Sequence, residues 1–138
     1  MTVVVDTSLW VALFRDKSGR VGSQIEAANQ AADVAMLLPI RFELLQGCRG
    51  TTEWLTMLKR VDAFESLQMT PSTWDGAARL YFELRQSGRT VRSALDCLIA
   101  QSCLEHGCTP LHNDRDFETI ATVVPLKHRR LDPDNPTQ

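Results

Sequence analysis

What the sequence most plainly lacks is paired cysteine. Cys48, Cys97, Cys103 and Cys108 are spread so that no two stand in a C-x-x-C spacing, which argues against a zinc site or a disulfide framework. Cys97 and Cys103 fall inside an apolar helical pattern, where a free thiol behaves as a small hydrophobe. A reducing cytoplasm is therefore the expected compartment. No apolar run approaches the ~18 residues that a membrane span requires, and the opening MTVVVD carries no basic leader. Neither export nor membrane association is expected. An excess of basic charge is missing as well. With 15 Lys and Arg against 17 Asp and Glu, the formal charge is −2, which argues against a protein that holds nucleic acid by a general positive field. There is no internal repeat and no interdomain linker, so one domain is expected over residues 1–130, with a polar, proline-bearing tail, 131–138, that is expected to be disordered.

What is present alternates between two periods. Val3 to Val5 form a short β-branched run that stops at Asp6, and Thr7 or Ser8 can cap a helix carrying Leu9, Trp10, Leu13 and Phe14. Val21, Ile25, Ala28 and Ala32 recur at helical spacing, Val34 to Leu38 reads as a buried strand, and Pro39 suits a first helical position. The helix from Ile40 to about Gly47 carries Glu43. Thr51 or Thr52 caps a stripe of Trp54, Met57, Leu58, Val61 and Phe64, and Ser66 to Met69 is a short strand before Pro71. Trp74, Ala77, Ala78 and Tyr81 mark a helix ended by Gly88, and Ser93 to His106, apolar nearly all round, a helix buried on several sides and closed by Gly107. Thr109 to His112 reads as a strand despite Pro110, a short helix spans Phe117 to Ala121, and a last strand lies near Val123 to Leu126. Strands alternating with helices predict an α/β fold, a three-layer α/β/α sandwich around a mainly parallel sheet, with ligands bound beyond the carboxyl ends of the strands.

Four acids share that end. Asp6 ends the first strand, Glu43 lies on the helix after the second, Asp96 sits in the first turn of the buried helix, and Asp114 follows the strand that ends at His112. Each has a local explanation. Asp6 can cap the adjoining helix, Glu43 can be an exposed helix residue, Asp96 completes a Ser93-x-x-Asp96 capping pattern, and Asp114 can serve a turn. Four independent caps would have no reason to gather at one end of one sheet, and carboxylates so placed suit Mg²⁺, a hard cation held by a few carboxylates and water. Asp116 either supports the pocket or caps the helix containing Phe117, and the cap is the favoured reading; Thr7 and Ser8 are likewise read as caps.

The Val-Val-Val-Asp6-Thr7-Ser8 opening, Glu43-Leu-Leu-Gln-Gly47, Leu95-Asp96-Cys-Leu-Ile-Ala100 and His112-Asn-Asp114-Arg-Asp116-Phe117, in that order across nearly the whole chain, resemble the PIN domains of the VapC toxin family. The resemblance implies a Mg²⁺- or Mn²⁺-dependent endoribonuclease, a homodimer, and a cognate antitoxin that covers the active site. Asp6, Glu43, Asp96 and Asp114 take the family's acidic positions, with Asp6, Asp96 and Asp114 as metal ligands and Glu43 as a further ligand or a base. Where many relatives have threonine, this chain has His112. Metal-assisted hydrolysis of an RNA phosphodiester is the implied reaction. Arg89, Arg92 and Arg115 are candidates for phosphate contact beside the reading of solvated surface arginines, and His112 is more simply a hydrogen-bonding residue than a general base. Two rivals stand beside this reading: an aspartyl phosphotransferase using Asp6, which lacks a second acid at Ser8, and a non-catalytic PIN-like binding module. A partner helix is expected near Trp10, Phe14 and Trp54.

Overall fold

The computed structural model describes residues 1–29 and 33–134. Five strands, β1 (Thr2–Val5), β2 (Asp33–Met36), β3 (Glu65–Ser66), β4 (Thr109–His112) and β5 (Arg129–Arg130), form one sheet. Its order is β3-β2-β1-β4-β5 and every pairing is parallel. Because side chains alternate along a strand, β1 seeds two cores. Val3 and Val5 pack with Leu9, Ala28, Leu111 and Leu131 on one face, under α1 (Thr7–Arg15) and α2 (Arg20–Asn29). Val4 packs on the other face with Met36, Ile40, Val61, Leu84, Ile99 and Phe117. Met36 is the last residue of β2, and the others come from α3 (Leu38–Gln46), α4 (Thr51–Asp62), α5 (Pro71–Gln86), α6 (Ala94–His106) and α7 (Arg115–Ile120). The result is the three-layer α/β/α sandwich expected from the alternating periods. Among the described residues no helix is long and apolar enough to cross a membrane.

Local chemistry accounts for the element ends. Pro71 opens α5 behind a capping box between Thr70 and Thr73. Gly107 closes α6 at φ 66°, a left-handed conformation in which any side chain would be strained. Pro110 is accommodated in β4 by its position. Successive residues point their backbone groups to opposite sides, and the Leu111 carbonyl accepts from Asp6 N–H on the β1 side at 2.8 Å. The nitrogen of Pro110 therefore faces the β5 side, where pairing begins only at Leu111 and Arg129. No ladder bond is lost.

The last strand differs from expectation. Residues 121–124 continue as turns behind α7, with Thr122 N–H to Thr119 C=O at 3.1 Å and Val124 N–H to Ile120 C=O at 3.2 Å, and Pro125 follows. The strand is Arg129–Arg130 instead. The apolar pattern of Val123 to Leu126 marks packing into the core, where Leu126 is buried, rather than strand pairing. Smaller shifts follow the same logic: β2 stops at Met36 because Leu37 and Pro39 start α3, β3 occupies Glu65–Ser66 rather than Ser66 to Met69, and the N-caps of α1 and α4 are Asp6 and Gly50. Ala32 and residues 135–138 of the tail lie outside the described residues. Leu131, at the start of that tail, is buried, and its N–H donates to His112 C=O at 2.7 Å.

Candidate active site

In this sheet β1 has β2 on one side and β4 on the other, so the chain leaves the carboxyl ends of β1 and β4 side by side at the point where strand order reverses. Asp6 follows β1 and Asp114 follows β4 by two residues. Ser8 ties the two turns together. Its hydroxyl donates to Asp6 Oδ2 at 2.6 Å and accepts from Asn113 N–H at 3.0 Å, while its own N–H donates to the same Oδ2 at 3.1 Å. Asp6 thus caps α1 through one oxygen. The other, Oδ1, is buried with no hydrogen-bond partner.

Asp96 is delivered by the first turn of α6. Ser93 is the N-cap of that helix but makes no side-chain cap bond, so the capping-pattern explanation for Asp96 does not describe the structure. Its Oδ2 is also buried without a partner. Asp114 caps α7, accepting from Asp116 N–H at 2.9 Å, and meets the exposed Arg92 guanidinium at 3.3 Å. Glu43, half-buried on α3, accepts from the Thr7 hydroxyl at 3.1 Å. Thr7 and Ser8 therefore serve the acids rather than capping α1 as expected.

Asp116 is not the helix cap that its position suggests. It is 4% exposed, and its carboxylate accepts from Arg92 N–H at 2.9 and 3.1 Å and from Ser93 N–H at 3.1 Å, the backbone immediately before α6. Oxygens of Asp96, Asp114 and Asp116 lie within 4.8 Å of one another, close enough to hold one metal ion. No local signal separates Asp116 from an ordinary first-turn acid, which the helix dipole favours by itself. Asp6 and Glu43 flank this trio, and both carboxylates feel the charge of Asp114.

Burial and mutual repulsion set the protonation of the cluster. Asp96 is pushed up to about 10, first by burial, then by the contact with Asp116 and by the charges of Asp6, Asp114 and Asp116. Burial raises Asp6 against the opposing bonds from Ser8. Burial raises Glu43 too, with Asp6 and Asp114 adding to the shift and Thr7 opposing it. His112 is fully buried and pushed down to about 4, by burial and then by the nearby charges of His128 and Arg130. Both ring nitrogens are already engaged, Nδ1 by the Asp114 amide and Nε2 by His128, which leaves neither to serve as a general base. Two buried carboxylate oxygens without partners, one on Asp6 and one on Asp96, are costly as they stand. The oxygens within bridging distance are those of Asp96, Asp114 and Asp116, with Asp6 outside that trio, and an all-oxygen donor set of this kind suits Mg²⁺ or Mn²⁺.

Arg92, Arg115 and Arg130, with Asn113 and Thr119, line a depression that opens beside Asp116. A second one, lined by Val11, Phe14, Arg15, Arg49 and Met57, ends on Glu43. The acids thus sit between two openings that both carry arginine.

A parallel sheet in this order, with carboxylates converging at its switch point, defines a class of metal-site α/β domains, and comparison with known proteins narrows it. A family profile described as the PIN domain matches residues 3–123. A VapC ribonuclease of Mycobacterium bovis is 34% identical over 128 residues, covering 91% of this chain and 96% of its own. Ribonuclease VapC51 of Mycobacterium tuberculosis is 32% identical over 124 residues, 88% of this chain and 86% of its own. In fold, the chain is similar to a structure of VapBC2 from Rickettsia felis bound to a promoter DNA fragment, with a TM-score of 0.74 at 18% identity over 96% of this chain and all of the other. DNA-bound VapBC from Salmonella typhimurium gives a TM-score of 0.72 at 18% identity over 94% and 98%. The chain belongs to the PIN-domain family, in its VapC branch.

Proposed function

We propose that the chain is the endoribonuclease of a toxin–antitoxin pair, hydrolysing RNA phosphodiester bonds at a Mg²⁺ or Mn²⁺ held by carboxylates. The observation that carries this reading is the pair of buried, partnerless oxygens, Asp6 Oδ1 and Asp96 Oδ2, beside the acidic trio in a PIN domain. Asp6, Asp96 and Asp114 are the ligands, and Asp116 shares the trio with Asp96 and Asp114. A bound divalent ion supplies charge neutralisation at the scissile phosphate and lowers the pKa of an attacking water.

The chain's own groups do the rest. Ser8 and Asn113 hold the β1 and β4 turns at a fixed separation. Thr7 orients Glu43, which accepts a proton or aims the water. Asp116 anchors the backbone that launches Asp96. Arg92 is 82% exposed and only loosely paired with Asp114, so it is free to turn toward a substrate phosphate, and Arg115 stands beside it. Incubating the purified chain with total cellular RNA, with Mg²⁺ and with EDTA, tests the activity. Cut ends that appear only with metal are expected, and RNA left intact under both conditions refutes the reading.

The same reading carries a partner and a setting. The groove that ends on Glu43 is walled by Val11, Phe14, Leu44 and Met57, and Phe14 and Trp54 are substantially exposed near it. Such a surface suits the apolar side of an antitoxin helix, with an arginine reaching the carboxylates. The apolar face of Trp74, Ala77, Tyr81, Leu95 and Leu98 suits a second copy of the chain. The setting is the cytoplasm. Addition of the antitoxin at stoichiometric ratio should abolish cleavage, and unchanged cleavage refutes the partnership.

A further inference from the structure

The turn that carries Asp114 is held from behind by a segment lying past residue 123, where the family match ends. Three contacts join them. Leu131 N–H donates to His112 C=O at 2.7 Å, Arg130 Nε–H donates to Asn113 Oδ1 at 3.1 Å, and the His112 Nε2 to His128 Nδ1 distance is 2.8 Å. A fourth, Arg130 Nη1 to Glu118 Oε1 at 3.0 Å, fastens the segment to α7. All of these grip residues 112, 113 and 118, and none touches a site acid directly.

The histidine pair has only one consistent arrangement of protons. Asp114 N–H lies 3.1 Å from His112 Nδ1, and a backbone amide can only donate, so Nδ1 must present its lone pair. The ring proton of neutral His112 then sits on Nε2 and points at His128 Nδ1, which must accept, leaving the His128 proton on Nε2. Were the His128 acceptor absent, only the Asp114 amide would hold His112 in this tautomer, and the buried Nε2 proton would be left without an acceptor. The alternative tautomer, with Nδ1 protonated, faces Asp114 N–H donor to donor. The ring itself cannot swing away, because His112 is fully buried against Phe117, with ring centroids 4.6 Å apart.

We propose that His128 and His112 are positioning residues for the active site: His128 locks the tautomer of His112, and His112 in turn holds the Asp114 amide, and with it the carboxylate, in place. This rests on Asp114 being a metal ligand, and it makes the segment from His128 to Leu131 part of the site although it supplies no ligand. His112 acts through Asp114 and touches neither substrate nor ion. Supporting groups of this kind typically change metal affinity by about ten- to a hundredfold when removed.

The test uses the full chain and substitutions at half-buried His128, which leave the core untouched. His128→Leu removes the acceptor, and His128→Asn keeps it, because the Asn Oδ1 stands where Nδ1 stood. Nitrogen NMR of the metal-free parent should show His112 protonated on Nε2 and unprotonated on Nδ1. Hydrogen exchange at the Asp114 amide should be about tenfold faster in His128→Leu, the equivalent of one hydrogen bond, and close to parental in His128→Asn. Mg²⁺ binding, by calorimetry, should weaken about tenfold in the Leu variant and recover in the Asn variant, with kcat falling and KM for RNA unchanged. A His112 protonated on Nδ1, or an Asp114 amide as protected in His128→Leu as in the parent, overturns the proposal. Exchange and tautomer are read without metal or RNA. A parent with the expected tautomer and protection that binds no Mg²⁺ therefore places the failure in the metal reading, whereas unchanged Mg²⁺ binding in His128→Leu overturns the positioning role.

Discussion

The two ends of α6 solve opposite problems with the same kinds of residue. At its carboxyl end Glu105 accepts from the buried Thr73 hydroxyl at 2.8 Å, His106 Nε2 meets Gln68 C=O at 2.8 Å, and Gly107 turns the chain. Both ionisable side chains there have partners, although the Ser102 hydroxyl one turn earlier is buried without one. At its amino end Asp96 is buried with an oxygen that has none, among three other aspartates whose charges oppose its ionisation. An acid placed to stabilise a fold is given donors, and an acid placed to hold a cation is kept short of them. Under the proposed function the amino end is the working end, because an unsatisfied buried carboxylate costs folding free energy that a bound cation would offset.

The sharpest way to break the comparison is to neutralise the frustrated end. Asp96→Asn should lower metal-dependent cleavage by at least about a hundredfold, since a lost ligand removes several kcal/mol of transition-state stabilisation, while the metal-free variant melts higher than the parent. A variant with full activity and a lower melting point in EDTA would make Asp96 an ordinary helix residue. Next in size is the pH response. A carboxyl held near 10 in the fold keeps a proton that the unfolded chain gives up near pH 4. Its stabilisation is therefore complete below about pH 4 and declines as pH rises toward 10. Burial raises Asp6 and Glu43 in the same sense. Buried His112, pushed down to about 4, acts in the opposite sense, because the unfolded chain takes up a proton there as pH falls below about 6.5. The proton retained by Asp96 outweighs it, so metal-free protein should be more stable at pH 5.5 than at 7.5 by on the order of 1–2 kcal/mol. Saturating Mg²⁺ should reverse the order, because it favours the ionised carboxylates and adds about 2.7 kcal/mol at a hundredfold excess over its dissociation constant. Melting curves at the two pH values, with EDTA or Mg²⁺, decide it; a metal-free protein that is more stable at pH 7.5 contradicts the raised pKa values.

Much of this contrast was legible in the sequence, and the parts that were not have physical reasons. Val3 to Val5 and the all-round apolar pattern of α6 declare themselves through hydrophobicity and periodicity, and the placement of Asp6 and Asp114 follows once their strands are neighbours. β5 was missed because Arg129 and Arg130 carry no apolar signature: an edge strand held by backbone pairing leaves little trace in side-chain pattern. The role of Asp116 is hidden because a lone aspartate near a helix start has the local explanation of a cap, and its true donors, Arg92 and Ser93, are more than twenty residues away. Ser8 was read as a cap for the same reason. Its bond to Asn113 spans 105 residues and depends on β1 and β4 being adjacent, a tertiary fact that no local motif encodes.

The smallest expected effect tests the satisfied end. Thr73 is 2% exposed, and its hydroxyl both donates to Glu105 and accepts from Thr70 N–H at 3.1 Å as half of the capping box of α5. Thr73→Val keeps the shape and removes both bonds. A buried hydrogen bond to a charged partner contributes about 1.5 kcal/mol, and loss of a cap about 1 kcal/mol. The two share one oxygen and do not add in full, so a cost of about 1–2 kcal/mol is expected, with a melting point lower by roughly 5 °C. Glu105→Gln should lose part of the same energy, and the double variant less than the sum, since both remove one contact. Cleavage by Thr73→Val at a temperature where it is fully folded should match the parent, because its partner Glu105 lies about two and a half helical turns from Asp96 along α6. A loss of activity comparable to that of Asp96→Asn would show that the two ends are mechanically coupled, and the division between a stabilising end and a working end would fail.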